Sequence, residues 1–222
     1  MERLLAWLNF WVPFVAVNGA LIMATSQGHL APCLPYLDGC FSISRAARSG
    51  DAIFLFRGFM MPLSMLMVLY WIVHRRWLIE LAGGRWLRHD VILILAVIAA
   101  LALVVYADFL GTDGQVYRFM RRYGVTFYFA FSLLAQLIAL QCVTQCRQRL
   151  DRRQQCWLRL QQLIIVWQWS LGLISLGVSL FAGNELKNWA EDAVEWHFAL
   201  AMVAFYGVQA LIWHKWPATR DE

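Results

Sequence analysis

The chain has 222 residues, of which 61% are hydrophobic and 15% are charged, and its formal net charge is +5. Soluble domains carry about 25% charged residues, so this composition excludes a water-soluble globule. The apolar runs are continuous and do not alternate with polar residues, which excludes a membrane β-barrel. We therefore expect an all-α polytopic membrane protein that forms one domain over residues 1–222.

Six apolar segments follow one another along the chain and predict a bundle of six transmembrane helices. The first is longer than the apolar core of a signal peptide and no cleavage site follows it, so we expect a retained anchor. The third is the shortest for a hydrocarbon core of about 30 Å and consists almost wholly of Leu, Ile, Val and Ala. The predicted spans are 4–23, 53–73, 91–106, 124–140, 163–181 and 195–213.

The distribution of positive charge predicts the orientation. If the N-terminus is cytoplasmic, 12 of the 19 Lys and Arg residues fall on the cytoplasmic side, as the positive-inside rule requires. Six spans then place the C-terminus in the cytoplasm as well, and the connection between the first two spans faces outward. The positive charge suits anionic lipid headgroups, and we expect no binding to nucleic acid.

The cysteines divide between the two sides of the membrane. Cys33 and Cys40 lie in the first outer connection, where an oxidising compartment permits a disulfide. Cys142, Cys146 and Cys156 lie near the inner face, where the first two share a helix face as a metal or redox pair would. No histidine or carboxylate completes a ligand set there, so we interpret these three as packing residues.

Motifs of soluble enzymes are missing from the chain. It has no phosphate-binding glycine loop, no HExxH, no GxSxG and no CxxC. A zinc site needs about three protein ligands, and on the outer side only His29 and His197 accompany carboxylates. A membrane metallo-hydrolase is therefore the weaker alternative, and we expect neither a metal nor another cofactor.

Charged residues lie near membrane depth on the outer side of four predicted helices. Arg57 opens the second span, Asp108 closes the third, Arg121 and Arg122 open the fourth, and Glu195 opens the sixth. Taken singly, each is consistent with a helix-end charge that reaches the headgroups. Together they predict an outward-facing polar pocket suited to a phosphate-bearing lipid headgroup. The predicted pocket residues are Asp38, Ser42, Ser44, Arg57, Asp108, Arg122 and Glu195.

The outer connection also carries a pattern of residue types. Pro35 is followed by Ser42-Ile43-Ser44, by Ala46-Ala47 and by Phe56-Arg57, and Glu195-Trp196 opens the last helix. This pattern resembles the DRAM/Frag/Sfk family of membrane proteins across the six-helix layout. That family includes damage-regulated autophagy modulators, lipid-remodelling proteins of GPI anchors and the N-terminal domain of a yeast cell-wall remodelling protein.

The resemblance implies a protein that binds or helps remodel membrane lipids with anionic or phosphate-bearing headgroups. If it is an enzyme, it resembles a lipid acyl hydrolase or acyltransferase with Glu195 or Asp38 as the base. Family members often place a histidine before the glycine that opens the fourth helix, whereas this chain has Arg121-Arg122-Tyr123-Gly124.

The alternative function is that of a transporter, or of a non-catalytic subunit with a membrane-protein partner or a second copy of itself. The chain carries no recognisable targeting signal or glycosylation sequon. We therefore expect it in the bacterial inner membrane.

Overall fold

The computed structural model describes residues 1–181 and 183–216, and the side chains at 184–186 and 215 lie outside that description. Eight α-helices follow one another, with 3₁₀ turns at 147–149 and 213–215, and these described ranges contain no strand. Six of the helices are long and two are single turns. They are α1 Glu2–Ser26, α2 Pro35–Asp38, α3 Ile43–Ala47, α4 Ala52–Ala82, α5 Leu87–Phe109, α6 Gln115–Gln145, α7 Arg152–Phe181 and α8 Asn184–Ile212.

The six long helices are apolar and long enough to cross a membrane, which confirms the predicted all-α membrane architecture. At a rise of 1.5 Å per residue, the 23 residues of α5 extend about 35 Å and the 31 residues of α6 about 46 Å. The helices extend beyond the apolar spans, since hydrogen bonding within a helix continues past the hydrocarbon. Thus α6 begins at Gln115 and α7 begins at Arg152.

The two ends of the bundle are built differently. Residues 27–51 carry α2 and α3 and cover one end, which we call the capped end. The start of α1 contacts the turn at 213–215 at the opposite end, which we call the terminal end. Residues 217–222 fall outside the described ranges, so the predicted position of the C-terminus does too. The membrane side on which each end lies stays a prediction from the positive-inside rule.

Small residues allow the helices to approach one another closely. Ala16, Ala20 and Ala24 recur every four residues along α1 and are fully buried, where α1 packs on α4 and α8. Gly124 of α6 lies directly against α5, because a Cβ there would come 2.9 Å from the backbone nitrogen of Tyr106. Such contacts determine helix spacing in a membrane, where burial of apolar surface alone does little to bring helices together.

Aromatic side chains fill the terminal half of the bundle around a buried histidine. Tyr70, Trp71 and His74 of α4 pack against Tyr206 of α8 and Trp213 of the turn that follows it, and all five are at most 2% exposed. The ring centroids of Tyr70 and Tyr206 are 4.7 Å apart, and those of His74 and Trp213 are 5.7 Å apart. This aromatic cluster holds α4 against α8.

An ion cluster ties α4 to α5 at the terminal end. Asp90, in the first turn of α5, receives Nη2 of Arg75 at 2.6 Å on one carboxylate oxygen and Nη2 of Arg85 at 2.7 Å on the other. The Nε atoms of both arginines donate to the same oxygens. The short connection between the two helices is therefore fixed by charge-assisted hydrogen bonds.

Candidate functional site

The segment over the capped end is an ordered cap, formed by residues 27–51. Cys33 and Cys40 are joined in it by a disulfide with Cα atoms 6.8 Å apart. The Asp38 carboxylate accepts the backbone N–H of Leu34 at 2.9 Å. Ser42 is the N-cap of α3 and accepts the N–H of Arg45 at 3.2 Å. Two of the predicted pocket residues, Asp38 and Ser42, thus hold the backbone of the cap in place.

Two neighbouring residues of α8 fasten the cap to the bundle. Nε1 of Trp196 donates to the carbonyl oxygen of Phe41 at 2.9 Å, and Trp196 is fully buried. Nε2 of His197 lies 2.9 Å from the carbonyl oxygen of Tyr36. The Tyr36 hydroxyl donates to Asn18 of α1 at 3.4 Å. Burial raises the pKa of Tyr36, and the hydrogen bond to Asn18 opposes that shift in part.

A cavity of about 40 Å³ lies beneath the cap, between α1, α4, α5, α6 and α8. Most of its lining is apolar, and among the described residues that line it only Glu195 carries a charge. Three tyrosine side chains and Asn18 add further polar groups. The lining residues are Pro13, Phe14, Val17, Asn18, Tyr36, Ile43, Phe56, Met60, Tyr106, Val125, Tyr128, Phe129, Glu195, Trp196, Ala199, Leu200, Met202 and Val203.

Glu195 meets the cap at the wall of this cavity. The backbone N–H groups of Ile43 and Ser44 lie within hydrogen-bonding range of its carboxylate. The hydroxyl of Ser44 lies 2.8 Å from that of Tyr106 in α5, and Tyr106 is in turn within electrostatic range of Glu195. Of the predicted pocket residues, the structure therefore brings Ser44 and Glu195 together, with Tyr106 as a third member that the sequence did not indicate.

Arg57 lies elsewhere and binds the end of α5. Its Nε donates to the carbonyl oxygen of Ala107 at 3.0 Å, and its Nη2 donates to those of Asp108 and Leu110, each at 2.7 Å. The last carbonyl groups of a helix have no partners within the helix, and a cation there is favoured by the helix dipole. Arg57 is thus a link between α4 and α5, and it is not among the residues that line the cavity.

Asp108 and Arg122 also point away from the cavity. Both side chains are exposed, and Asp108 takes part in the Arg57 contact only through its backbone carbonyl. The carbonyl oxygen of Arg122 accepts the hydroxyl of Thr126 at 2.9 Å within α6. The predicted single pocket of seven residues is therefore divided among the cap, the end of α5, the exposed side of α6 and the cavity wall.

Two cations interact electrostatically with the cavity wall: Arg48 of the cap and Arg121 of α6. They lie within electrostatic range of each other and of Tyr106, which lines the cavity. Helical periodicity places Arg121 and Arg122 on different faces of α6. Arg121 lies three residues before Gly124, on the face that packs on α5, whereas Arg122 lies off that face. We call Arg48 and Arg121 the arginine rim.

The arrangement combines an apolar cavity with one carboxylate, two adjoining hydroxyls and a basic rim. A carboxylate beside hydroxyl groups can accept a proton or a hydrogen bond from a bound molecule. Within the described residues, no group of three or more His, Cys, Asp or Glu side chains is arranged to hold a metal ion. The geometry suits a ligand that has an apolar part and a polar or anionic part.

Comparison with known proteins leaves the family open. The chain matches no protein-family model, no curated protein and no solved structure.

Proposed function

We propose that the protein binds a membrane lipid at the capped end of the bundle. A short apolar segment of the lipid enters the cavity, whose volume of about 40 Å³ holds only a few methylene groups, and the anionic headgroup lies at the arginine rim. The observation that carries this proposal is the composition of the cavity wall, which is apolar apart from Glu195, Asn18 and tyrosine side chains. Ligand pockets that are mainly apolar with a few fixed polar groups select amphipathic molecules.

The depth of the cavity supports a lipid over a polar solute. Its walls include Met60, about two turns into α4, and Met202 and Val203 near the middle of α8. These positions lie within membrane-spanning helices. An acyl chain can reach them from the surrounding bilayer and bury apolar surface there.

The arginine rim supports an anionic headgroup. A guanidinium group offers several N–H donors in a planar fork that matches a phosphate, and such charge-assisted bonds are stronger than neutral ones. Arg45 adds a third cation at the cap, with its guanidinium carbon 5.8 Å from the Phe41 ring centre. Two of these three cations have an acidic side chain within electrostatic range, Asp192 for Arg45 and Asp113 for Arg121.

Remodelling of the lipid is a second candidate function, favoured by the contact of Ser44 with Tyr106 beside Glu195. In such an acyl hydrolase or acyltransferase, Glu195 is the base, because it lines the cavity and Asp38 does not. The resemblance to the DRAM/Frag/Sfk family agrees with either role. By the positive-inside rule, the site faces outward from a bacterial inner membrane, with both termini cytoplasmic.

Native mass spectrometry of the detergent-purified protein tests the binding proposal. We expect a retained phospholipid on the wild type and its loss from Ala199→Phe, which places a ring in the cavity. The matched control is Ala130→Phe, on an exposed part of α6. We expect Arg48→Ala with Arg121→Ala to abolish a preference for anionic lipid, while Arg122→Ala retains it.

If Ala199→Phe and Ala130→Phe retain the same amount of lipid, the lipid does not bind in the cavity. Occupancy that is lost equally in both variants would point to an annular lipid instead.

A further inference from the structure

A group of polar side chains is buried in the terminal half of the bundle, away from the cavity. His74, Gln136, Gln161, Gln168 and Gln209 are all fully buried, although they lie in membrane-spanning helices. Nε2 of Gln161 donates to Gln209 at 3.0 Å, and Nε2 of Gln168 donates to Gln136 at 3.3 Å. Polar side chains at membrane depth are costly to bury, so a cluster of them indicates a function.

Several polar atoms of this cluster lack hydrogen-bond partners within the described part of the chain. They include both ring nitrogens of His74 and the hydroxyls of Tyr70 and Tyr206. Gln209 lies beside the His74 ring, but without the geometry of a hydrogen bond. Buried polar groups of this kind are usually satisfied by bound water, and those that remain unpaired call for an explanation such as a function.

The cluster continues towards the cavity through tyrosines. Tyr206 lies one helical turn beyond Met202 and Val203, which line the cavity. The cavity is lined by Tyr128 together with Tyr106 and Glu195, and Tyr128 also interacts electrostatically with Tyr206. Tyr106 in turn is within electrostatic range of Glu195 at the cavity wall.

The same cluster continues towards the terminal end through histidines. Tyr70 packs on Tyr206, and the ring centroids of Tyr70 and His74 are 5.5 Å apart. His74 interacts electrostatically with His89 in the first turn of α5. Both rings are fully buried, and Nε2 of each lacks a hydrogen-bond partner within the described part of the chain. His89 is followed by Asp90, which is bound by Arg75 and Arg85 at the terminal end.

We propose that these side chains form a proton-transfer path through the bundle, from Glu195 at the capped end to His89 at the terminal end. The path joins five buried side chains between these ends, with internal water bridging the hydroxyls that do not touch directly. In order they are Tyr106, Tyr128, Tyr206, Tyr70 and His74.

One proton crosses for each cycle, and no oxidant or reductant takes part. The Glu195 carboxylate takes up a proton from the capped side and passes it to a hydroxyl or water. Each hydroxyl or water accepts a proton on oxygen and releases the one it held. His74 accepts a proton on one ring nitrogen and releases the proton of the other nitrogen towards His89. The proton leaves past Asp90. Before the next proton can follow, each hydroxyl or water rotates back and the His74 ring turns over, which restores the starting arrangement.

The charged and titratable neighbours suit the two ends of the path. Around Glu195 lie Asp192 on the same helix and Tyr106 on α5, with the arginine rim next to Tyr106. Around His74 lie Tyr70 on its own helix, Gln209 on α8 and His89 on α5. Charged groups thus stand at the ends, and neutral groups that exchange protons occupy the middle.

Reconstitution into liposomes tests the path. Vesicles of zwitterionic and anionic phospholipid trap a pH-sensitive dye, and valinomycin with a potassium gradient makes their interior negative. We expect the wild type to acidify the interior at least tenfold faster than protein-free vesicles. Tyr206→Phe, which removes one oxygen atom, and His74→Gln are expected to lose most of that difference. An uncoupler added at the end verifies that the potential persisted.

The controls are Tyr117→Phe and His29→Gln, which change the same residue types at exposed positions. Gel filtration establishes that each variant is folded, and Glu195→Gln gives an independent variant at the other end of the path. Wild-type flux no greater than that of empty vesicles overturns the proposal. So does wild-type flux that persists in every folded path variant. In either case the buried cluster serves helix packing alone.

Discussion

Arg57 of α4 and Leu110 at the end of α5 are joined by a hydrogen bond of 2.7 Å, from Nη2 to the carbonyl oxygen. The same guanidinium also binds the carbonyl oxygens of Ala107 and Asp108. One side chain therefore satisfies three acceptors that the helix itself leaves open. Arg57, which the sequence suggested as a ligand-binding cation, therefore joins α4 to α5 at the capped end.

Replacement of this arginine should destabilise the bundle. In Arg57→Ala three carbonyl groups lose a charged donor, and we expect the free energy of unfolding to fall by about 3 kcal/mol. Unfolding in micelles with a rising fraction of SDS measures the change. Arg122→Ala, at an exposed position of α6, should stay within about 0.5 kcal/mol of the wild type. Equal stability of the two variants would contradict the role given to Arg57.

The bond between Trp196 and Phe41 should be needed to keep the cap closed. Trp196→Phe retains most of the ring but leaves the Phe41 carbonyl without its buried donor, for which we expect a loss of about 1–3 kcal/mol. Hydrogen exchange measured by mass spectrometry should rise in residues 35–47. Trp169→Phe, at a half-exposed position of α7, is the matched control. Unchanged exchange in the cap would show that other contacts hold it.

The disulfide of the cap should stabilise the fold. Cys33 and Cys40 are 7 residues apart in sequence, and closing so short a loop contributes about 2–3 kcal/mol in the chain-entropy model. We expect the midpoint of thermal unfolding to fall when a reductant is added to the wild type. The paired variant Cys33→Ser with Cys40→Ser should be insensitive to reductant, whereas Cys156→Ser should respond as the wild type does. If the reductant leaves the unfolding midpoint of the wild type unchanged, the disulfide does not stabilise the fold.

Gly124 should be intolerant of any side chain. A Cβ at this position meets the backbone nitrogen of Tyr106 at 2.9 Å and the carbonyl oxygen of Ala102 at 3.1 Å. Both are backbone atoms, so α5 and α6 must separate, and we expect Gly124→Ala to cost about 1–3 kcal/mol. Gly172→Ala is the control, because a Cβ there meets nothing within 4 Å. If Gly124→Ala and Gly172→Ala stabilise the protein equally, the close approach of α5 and α6 does not exclude a side chain at position 124.

The membrane architecture was predictable because a continuous apolar run in a bilayer satisfies its backbone hydrogen bonds only as a helix. The site was less predictable, because the rotation of each helix about its axis decides which charged side chains come together. Arg121 and Arg122 are neighbours in sequence, yet only Arg121 turns towards Tyr106. Arg57 lies at the predicted depth, but its partners are backbone carbonyls, which carry no signal in the sequence.

His74 escaped prediction for a different reason. The apolar span appeared to end at residue 73 because Arg75 and Arg76 follow, so His74 was assigned to the inner connection. The helix continues to Ala82, and an aromatic side chain of the turn after α8 packs on the histidine. Hydropathy shows where an apolar run ends. The burial of His74 depends instead on side chains that pack against it from more than a hundred residues away in the chain.

The distance in sequence between Phe41 and Trp196 has a consequence for biogenesis. The two residues are 155 positions apart, and a ribosome adds roughly 5–20 residues per second. The cap therefore waits about ten seconds or more after its own synthesis before the helix that fastens it enters the membrane. During that interval α1 and α4 are already inserted, while the cavity between them is open to the bilayer. The hydrogen bond that fastens the cap can therefore form only once α8 has been inserted.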